Sequence, residues 1–354
     1  MTRLEQLMQS LPAEIDGALI TSDFNRRYYT GFESSAGAVL ATREGSYFLT
    51  DSRYAEAAGR VVRSCAVILQ ERLYEQLGEL ISKHRLKCVA VEDKKTSLRT
   101  FREQEQRLRV CLSGDKTLSD AIARQRSVKT PEELEAIGAA QKLADDTFTH
   151  ILEYIKPGRT EREIALEMEF HSRKSGSEGE AFSFIVVSGE NSSLPHGNPS
   201  DKAVEAGDFI TMDFGCIVDG YRSDMTRTVA VGRVGEEQRR VYDTVLRAQL
   251  AALEAVRAGV VCRDVDRTAR DIIAAAGYGE YFGHGLGHSL GLEIHEEPRF
   301  NTVCETLLEP GMVLSVEPGI YLPGRFGVRI EDIVAVTAEG CGNFARSTKD
   351  LLIL

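Results

Sequence analysis

The chain has 354 residues, enough for about two domains, and its hydrophobic and charged shares of 42% and 27% exclude a disordered or fibrous protein. A net charge of −11 repels phosphate backbones and excludes nucleic acid as the expected partner. No stretch approaches the roughly twenty apolar residues of a membrane span or follows a basic start as a signal peptide does, so a soluble, cytoplasmic protein with no membrane partner is expected.

Residues 1–124 alternate short β-rich runs (Gly17–Thr21, Ala38–Ala41, Tyr47–Thr50, Cys65–Leu69, Cys88–Val91) with helical segments near 52–60, 70–84 and 97–108. That rhythm predicts a small α/β domain. Asn25–Phe32 and Asp51–Tyr54 read as polar punctuation in capping and surface positions. Seven cysteines with no Cys-x-x-Cys pair read as reduced thiols in packing positions, not a disulfide framework or a zinc ribbon.

Beyond the charged Arg124–Lys129 segment, Thr130-Pro-Glu-Glu133 carries a helix start: Thr as cap, Pro at the first position and Glu133 closing a capping box. A second domain, 125–354, begins here. Helices are expected near 131–155 and 160–175, strands at Phe184–Val187, Phe209–Asp213 and Thr228–Val231, and a second helix pair after Gly235.

This second domain repeats itself. At a spacing of 101, Gly158 aligns with Gly259, Ile164 with Val265 and Gly176 with Gly277; farther on, Val204–Gly215 aligns without gaps on Leu308–Gly319. Asp213 therefore falls on Glu317. Next, Tyr221-Arg-Ser-Asp224 aligns on Val328-Arg-Ile-Glu331, setting Arg222 on Arg329 and Asp224 on Glu331, and His196, followed by Pro199, matches His295, followed by Pro298. Two halves related by a pseudo-two-fold would bring four acids together, and clustered carboxylates need shared protons or cations.

Between the matched segments, Gly283-His-Gly-Leu-Gly-His288 and His295 place three of the seven histidines within twelve positions, among glycines suited to close backbone approach to a ligand. Four carboxylates and one imidazole can hold two divalent ions, Mn²⁺ first, with Co²⁺, Fe²⁺ or Zn²⁺ as alternatives. A water shared by such ions becomes hydroxide near neutral pH, so hydrolysis is expected.

The motifs Met212-Asp-Phe-Gly215, Arg222-Ser-Asp-Met-Thr-Arg227, Gly283–His288, Ile294-His-Glu-Glu-Pro298, Val316-Glu-Pro-Gly319 and Val328-Arg-Ile-Glu-Asp332 together resemble the Xaa-Pro peptidases, the aminopeptidase P and prolidase family. The resemblance implies an α+β pita-bread catalytic domain behind a creatinase-type α/β domain that limits substrate length or mediates dimerisation. It implies a metal-dependent exopeptidase acting on the Xaa-Pro bond of short peptides, as aminopeptidase or dipeptidase, in a homodimer. Asp213 would ligate one metal, Asp224 and Glu331 would bridge both, and His288 with Glu317 would complete the second site. Glu317 would also move the proton, His196 and His295 would contact the substrate, His284 would position the peptide, and Arg329 would orient the acids. Arg299 is the candidate cation for a dipeptide's terminal carboxylate, unless it pairs with Glu296 or Glu297 or sits in solvent.

Other readings are weaker. Gly287-His-Ser-Leu-Gly291 matches a serine-hydrolase elbow, but only His295 follows Ser289, with no acid-then-histidine order. Asp213-Phe-Gly215 lacks the remaining kinase motifs. A metal-free binding module and a creatinase-like amidinohydrolase share the shell but do not need this ligand set, while methionine aminopeptidases usually lack the N-terminal domain.

Overall fold

The computed structural model describes residues 1–354 and divides into two compact units, Met1–Arg126 and Ser127–Leu354. In the first unit, β1 (Gly17–Ile20), β2 (Ala38–Thr42), β3 (Ser46–Thr50), β4 (Ala66–Leu69), β5 (Cys88–Val91) and β6 (Cys111–Ser113) form one mixed sheet in the order β4-β3-β2-β1-β5-β6. The first three strands pair antiparallel, and β4, β5 and β6 join in parallel. Helices α1 (Arg3–Ser10), α2 (Asp23–Thr30), α3 (Ala55–Val61), α4 (Leu73–Lys83), α5 (Leu98–Leu108) and α6 (Thr117–Ser127) surround it. Leu77, Leu80 and Ile81 of α4 pack on Leu19, Leu40 and Val89 of the sheet, the α/β layering expected.

One local expectation fails. Asn25–Phe32 is not surface punctuation: most of it is α2, with Asn25, Arg26, Tyr28 and Tyr29 buried. The burial is tolerated because most of the polar atoms find partners, Arg26 Nε being the exception. Glu92 accepts from Asn25 Nδ2 at 2.6 Å, and Arg26 donates to the carbonyls of Thr21 and Ser34.

The second unit is built twice. Helices α7 (Pro131–Tyr154) and α8 (Glu161–Lys174) precede β7 (Ile185–Ser188), β8 (Phe209–Phe214), the hairpin β9 (Ile217–Val218) and β10 (Tyr221–Arg222), and β11 (Met225–Ala230). Helices α9 (Glu236–Ala255) and α10 (Cys262–Ala275) then precede β12 (Gly287–Ser289), β13 (Glu296–Phe300), β14 (Val313–Val316), the hairpin β15 (Gly319–Leu322) and β16 (Phe326–Arg329), β17 (Asp332–Val336) and β18 (Cys341–Asn343). Their sheets run β11-β8-β7 and β13-β12-β14-β17-β18. Two further short 3-10 turns cover 189–193 and 279–281.

The repeat extends to individual bonds. Gly158 and Gly259 turn with φ of 91° and 82°, and their amides donate to Val204 O and Leu308 O, both at 2.9 Å. A side chain at either glycine would be strained in this left-handed conformation, which explains why both halves spell glycine there. The Thr130 box is present, with Thr130 N donating to Glu133 Oε2 at 2.8 Å, and Thr160 and Glu163 form another. Each helix pair buries one apolar face: Ala140, Ala144, Phe148 and Ile151 against β8 and β11, and Val241, Val245, Val265 and Ile273 in the cluster that includes Leu314 and Val334. No helix is long and apolar enough to cross a membrane.

Candidate functional site

The acids matched by the repeat stand at corresponding strand ends. Asp213 is the penultimate residue of β8 and Asp224 immediately precedes β11, whose register sets Thr226 opposite Asp213. Glu317 follows β14 and Glu331 precedes β17, whose register sets Asp332 opposite Val316. His288 comes from β12, which lies between β13 and β14. Any side chain at Gly287 would collide with the Ser315 carbonyl, so this glycine lets β12 lie against β14. Gly285 and Gly287 both also line the cavity, so Gly287 serves strand packing and leaves backbone at the cavity wall.

All ten residues singled out in the sequence line one cavity of about 440 Å³: His196, Asp213, Asp224, His284, His288, His295, Arg299, Glu317, Arg329 and Glu331. Phe182, Ile185 and Phe300 supply apolar wall. At the cavity floor, His288 Nε2 lies 3.5 Å from Asp224 Oδ2 and 3.4 Å from Glu317 Oε1. One potential ligand atom from each of Asp224, His288 and Glu331 lies within 4.8 Å of the other two, all three residues being buried.

The protonation chemistry of this floor follows from its dryness. Burial, reinforced by Glu331, Asp213 and Glu317, raises the Asp224 carboxyl well above its ordinary range. Burial likewise raises Glu331 well above its range and Glu317 to about 8. Burial depresses His288 to about 3, leaving a neutral ring. Its Nδ1 hydrogen points to Ser289 O at 3.1 Å, so the Nε2 lone pair faces the acids. Asp213 Oδ1, Asp224 Oδ1 and Glu331 Oε1 have no hydrogen-bond partner although buried. Buried carboxylates of Asp224 and Glu331 grouped with a neutral imidazole, and orphan oxygens on Asp213, Asp224 and Glu331 in the same cavity, fit divalent cations, and an imidazole whose other nitrogen is held by a carbonyl is the usual ligand geometry.

Arg329, expected to orient the acids, does so through residues that went unseen in the sequence, Thr226 and Tyr321. Arg329 donates from Nη2 to Asp213 Oδ2 at 2.6 Å, from Nε to Thr226 Oγ1 at 3.1 Å and from Nη1 to Tyr321 Oη at 2.9 Å. Thr226 passes its own hydrogen to Glu331 Oε2 at 2.6 Å. Tyr321 passes its hydrogen to His284 Nε2 at 2.9 Å, while His284 Nδ1 donates to Gly285 O at 2.7 Å. Burial lowers His284 to about 4, consistent with that neutral tautomer. Tyr321 lies in a four-residue strand whose residues are all buried, and nothing in its spacing marks it. Arg222, the repeat partner of Arg329, does different work: it donates to the Ala181 and Leu292 carbonyls.

Two buried carboxylates also pin the loops that carry histidines. Asp266 of α10 holds Arg270 through bonds of 2.9 Å to each oxygen and accepts from Leu286 N at 2.9 Å. Arg270 in turn donates to the carbonyls of Phe282 and His284. Glu161 of α8 accepts from Ser188 N at 2.6 Å and Ser200 N at 3.0 Å, bracketing the loop with His196. Ser289, the elbow candidate, is 0% exposed and accepts from Lys129 Nζ at 3.1 Å, so it offers no nucleophile to the cavity. Arg299 stands opposite His288 in the β12–β13 register, with a half-exposed side chain 3.6 Å from Glu297 Oε1. The acidic neighbour anticipated for it is therefore present, in a position still open to the cavity.

The description Metallopeptidase family M24 matches residues 135–338, and Creatinase/Prolidase N-terminal domain matches residues 1–128. The Xaa-Pro dipeptidase of Pyrococcus furiosus is 35% identical over 353 residues, 99% of each chain. An Xaa-Pro dipeptidase structure from Bacillus anthracis aligns with a TM-score of 0.96 and 38% identity over 99% of both chains. An X-Pro aminopeptidase structure from Thermotoga maritima aligns with a TM-score of 0.91 and 35% identity, covering 99% of this chain and 100% of that one. The expected pita-bread architecture behind a creatinase-type domain is the fold observed, and the chain belongs to metallopeptidase family M24.

Proposed function

We propose that this protein hydrolyses the Xaa-Pro bond at the N-terminus of short peptides with two divalent cations held by Asp213, Asp224, His288, Glu317 and Glu331. The observation that carries the reading is one cavity that holds partnerless buried oxygens on Asp213, Asp224 and Glu331 together with His288, whose Nε2 lies 3.5 Å from Asp224 Oδ2. Asp213, Asp224, His288, Glu317 and Glu331 would hold the pair, with Asp224 and Glu331 the residues whose loss would affect both ions. Four carboxylates and one imidazole favour Mn²⁺, with Co²⁺, Zn²⁺ or Fe²⁺ as substitutes. When bound, such a pair supplies Lewis acidity at the scissile carbonyl and makes water nucleophilic near neutral pH.

The chain's own residues supply the rest. Glu317, steadied by Ser315 Oγ at 3.1 Å, takes the proton of the attacking water and passes it toward the departing proline nitrogen. His196 and His295 hydrogen-bond the carbonyl oxygen as it becomes tetrahedral. His284, kept neutral by burial and oriented by Tyr321, positions the peptide. Arg329 fixes Asp213 and Thr226 so that the acids keep their spacing.

The similar structures include both a dipeptidase and an aminopeptidase. Arg299 on the cavity wall favours the dipeptidase reading, because a planar guanidinium suits the carboxylate that a dipeptide places one residue beyond the scissile bond. Residues 125–354 form the catalytic domain in this account, and residues 1–124 serve dimerisation or limit substrate length in a cytoplasmic homodimer. The test is turnover, with Mn²⁺ added, of Xaa-Pro dipeptides, Xaa-Pro-Yaa tripeptides and matched peptides lacking proline. Cleavage before proline is expected, with dipeptides preferred. Failure on every proline substrate overturns the activity, and a preference for tripeptides overturns the assignment of Arg299.

A further inference from the structure

The first unit contains a pair of thiols brought together by strand register. Cys88 opens β5 and Cys111 opens β6, and the parallel ladder sets them directly opposite one another. Their Sγ atoms lie 3.6 Å apart. Neighbouring strands run about 4.8 Å apart, within the Cα spacing that a disulfide spans. The proximity of the sulfurs shows that both side chains leave the same face of the sheet. Closing the gap to about 2 Å therefore asks for side-chain rotation and not for backbone movement.

Access distinguishes the two sulfurs. β6 is the edge strand, Cys111 is exposed and Cys88 is half-buried, so a small reagent meets Cys111 first. Burial, with the neighbouring Cys111 thiol next in weight, holds the Cys88 thiol up at about 11, which keeps it protonated while Cys111 is free. Exposed thiols exchange readily with disulfides, and an exposed bridge on a sheet edge is reducible again by the same chemistry. The expectation that every cysteine fills a packing position thus fails at Cys111. Spacing in the sequence could not show the pair, because α5 and its connections separate the two residues.

We propose that Cys88 and Cys111 are a reversible oxidation site that forms an intramolecular disulfide by exchange with a low-molecular-weight disulfide of the glutathione class. In the first step the Cys111 thiolate attacks one sulfur of the small disulfide, and one thiolate of the reagent leaves. In the second, Cys88 gives its proton to solvent and attacks Cys111 Sγ, expelling the second thiolate. Two protein thiols are oxidised, one small disulfide is reduced to two thiols, and no other oxidant is required. The bridge ties the three-residue edge strand β6 to β5. It is independent of the hydrolytic chemistry, since neither cysteine lines the cavity.

The test treats the full-length, metal-loaded protein with glutathione disulfide in mildly alkaline buffer, then counts thiols in denaturant and maps peptides by mass. The expected result is loss of two of the seven thiols, a cross-linked peptide pair containing Cys88 and Cys111, and full reversal by a dithiol reductant. Cys88→Ser should accumulate a glutathione adduct on Cys111, whereas Cys111→Ser should leave Cys88 unmodified, with peptide turnover unchanged in both variants. Seven free thiols after treatment, a wild-type reaction that stops at the mixed disulfide on Cys111, or a bridge to any other cysteine would overturn the proposal.

Discussion

Arg329 holds Asp213 by a bond of 2.6 Å from Nη2 to Oδ2, and both side chains are buried. The same guanidinium reaches Thr226, Tyr321 and the carbonyl of Pro195, next to His196. Lysine retains the charge but cannot reproduce this planar fork. Arg329→Lys should therefore lower kcat/KM by about 10–100-fold, the range found when partners that orient metal ligands are lost. Steady-state kinetics beside a metal titration checks this; wild-type values for both would remove Arg329 from the account.

His196 and His295 are proposed to act on substrate, so His196→Ala and His295→Ala should leave metal content unchanged while kcat falls by on the order of 100-fold. Elemental analysis and kinetics on the same preparations decide this. Parallel loss of metal and activity would make the histidines ligands instead.

The Asp266–Arg270 clamp should matter although neither residue lines the cavity. Asp266→Ala leaves the Leu286 amide and the Arg270 guanidinium without their buried partner, which should cost about 1–3 kcal/mol of stability. Arg270→Lys should retain part of the clamp and Arg270→Ala should lose it. The expected order of kcat/KM is wild type, Lys, Ala, measured where thermal unfolding shows all three folded. Equal activity in the three would show that the His284 loop holds itself.

Legibility in the sequence followed the range of the interaction. Repeats, caps and ligand spacing are written in contiguous residues, so Gly158 with Gly259, the Thr130 box and the Asp213–Glu317 pairing could all be found. Tyr321 could not, because a tyrosine in an apolar strand looks like packing until the fold brings His284 and Arg329 to its hydroxyl. Asn25–Phe32 misled for a related reason. Asn25 Nδ2 and Arg26 Nη2 donate to Glu92 and the Ser34 carbonyl, and these partners become neighbours only in the fold.

Arg299 is proposed to separate dipeptides from longer substrates. If it grips the terminal carboxylate, Arg299→Ala should depress turnover of Xaa-Pro dipeptides by at least about tenfold, the loss of a charge-assisted bond worth roughly 1.5–3 kcal/mol. Longer Xaa-Pro peptides should be cleaved nearly as before. Equal loss on both, or on neither, assigns Arg299 to its contact with Glu297 alone.

The buried acids also predict a pH signature of the metal-free protein. Their folded-state affinity for protons exceeds the unfolded one, so their contribution to stability is fully present at acid pH and is lost as pH rises. For Glu317 the window runs from its ordinary 4.5 to about 8. Thermal unfolding of chelator-treated protein should therefore be lower at the top of this window than at the bottom, and Mn²⁺ should flatten the trend by taking the protons' place. A metal-free protein that gains stability across the window would contradict this reading of the cavity floor.

The most direct measurement is metal stoichiometry followed through loss and recovery of activity. Protein stripped by chelator and reconstituted with Mn²⁺ should bind two ions per chain and regain cleavage of an Xaa-Pro dipeptide, while Asp224→Ala and Glu331→Ala, each proposed to serve both ions, should fail to hold the pair and stay inactive. A well-folded wild type that never binds two ions after reconstitution, or either variant with full activity, would contradict the account.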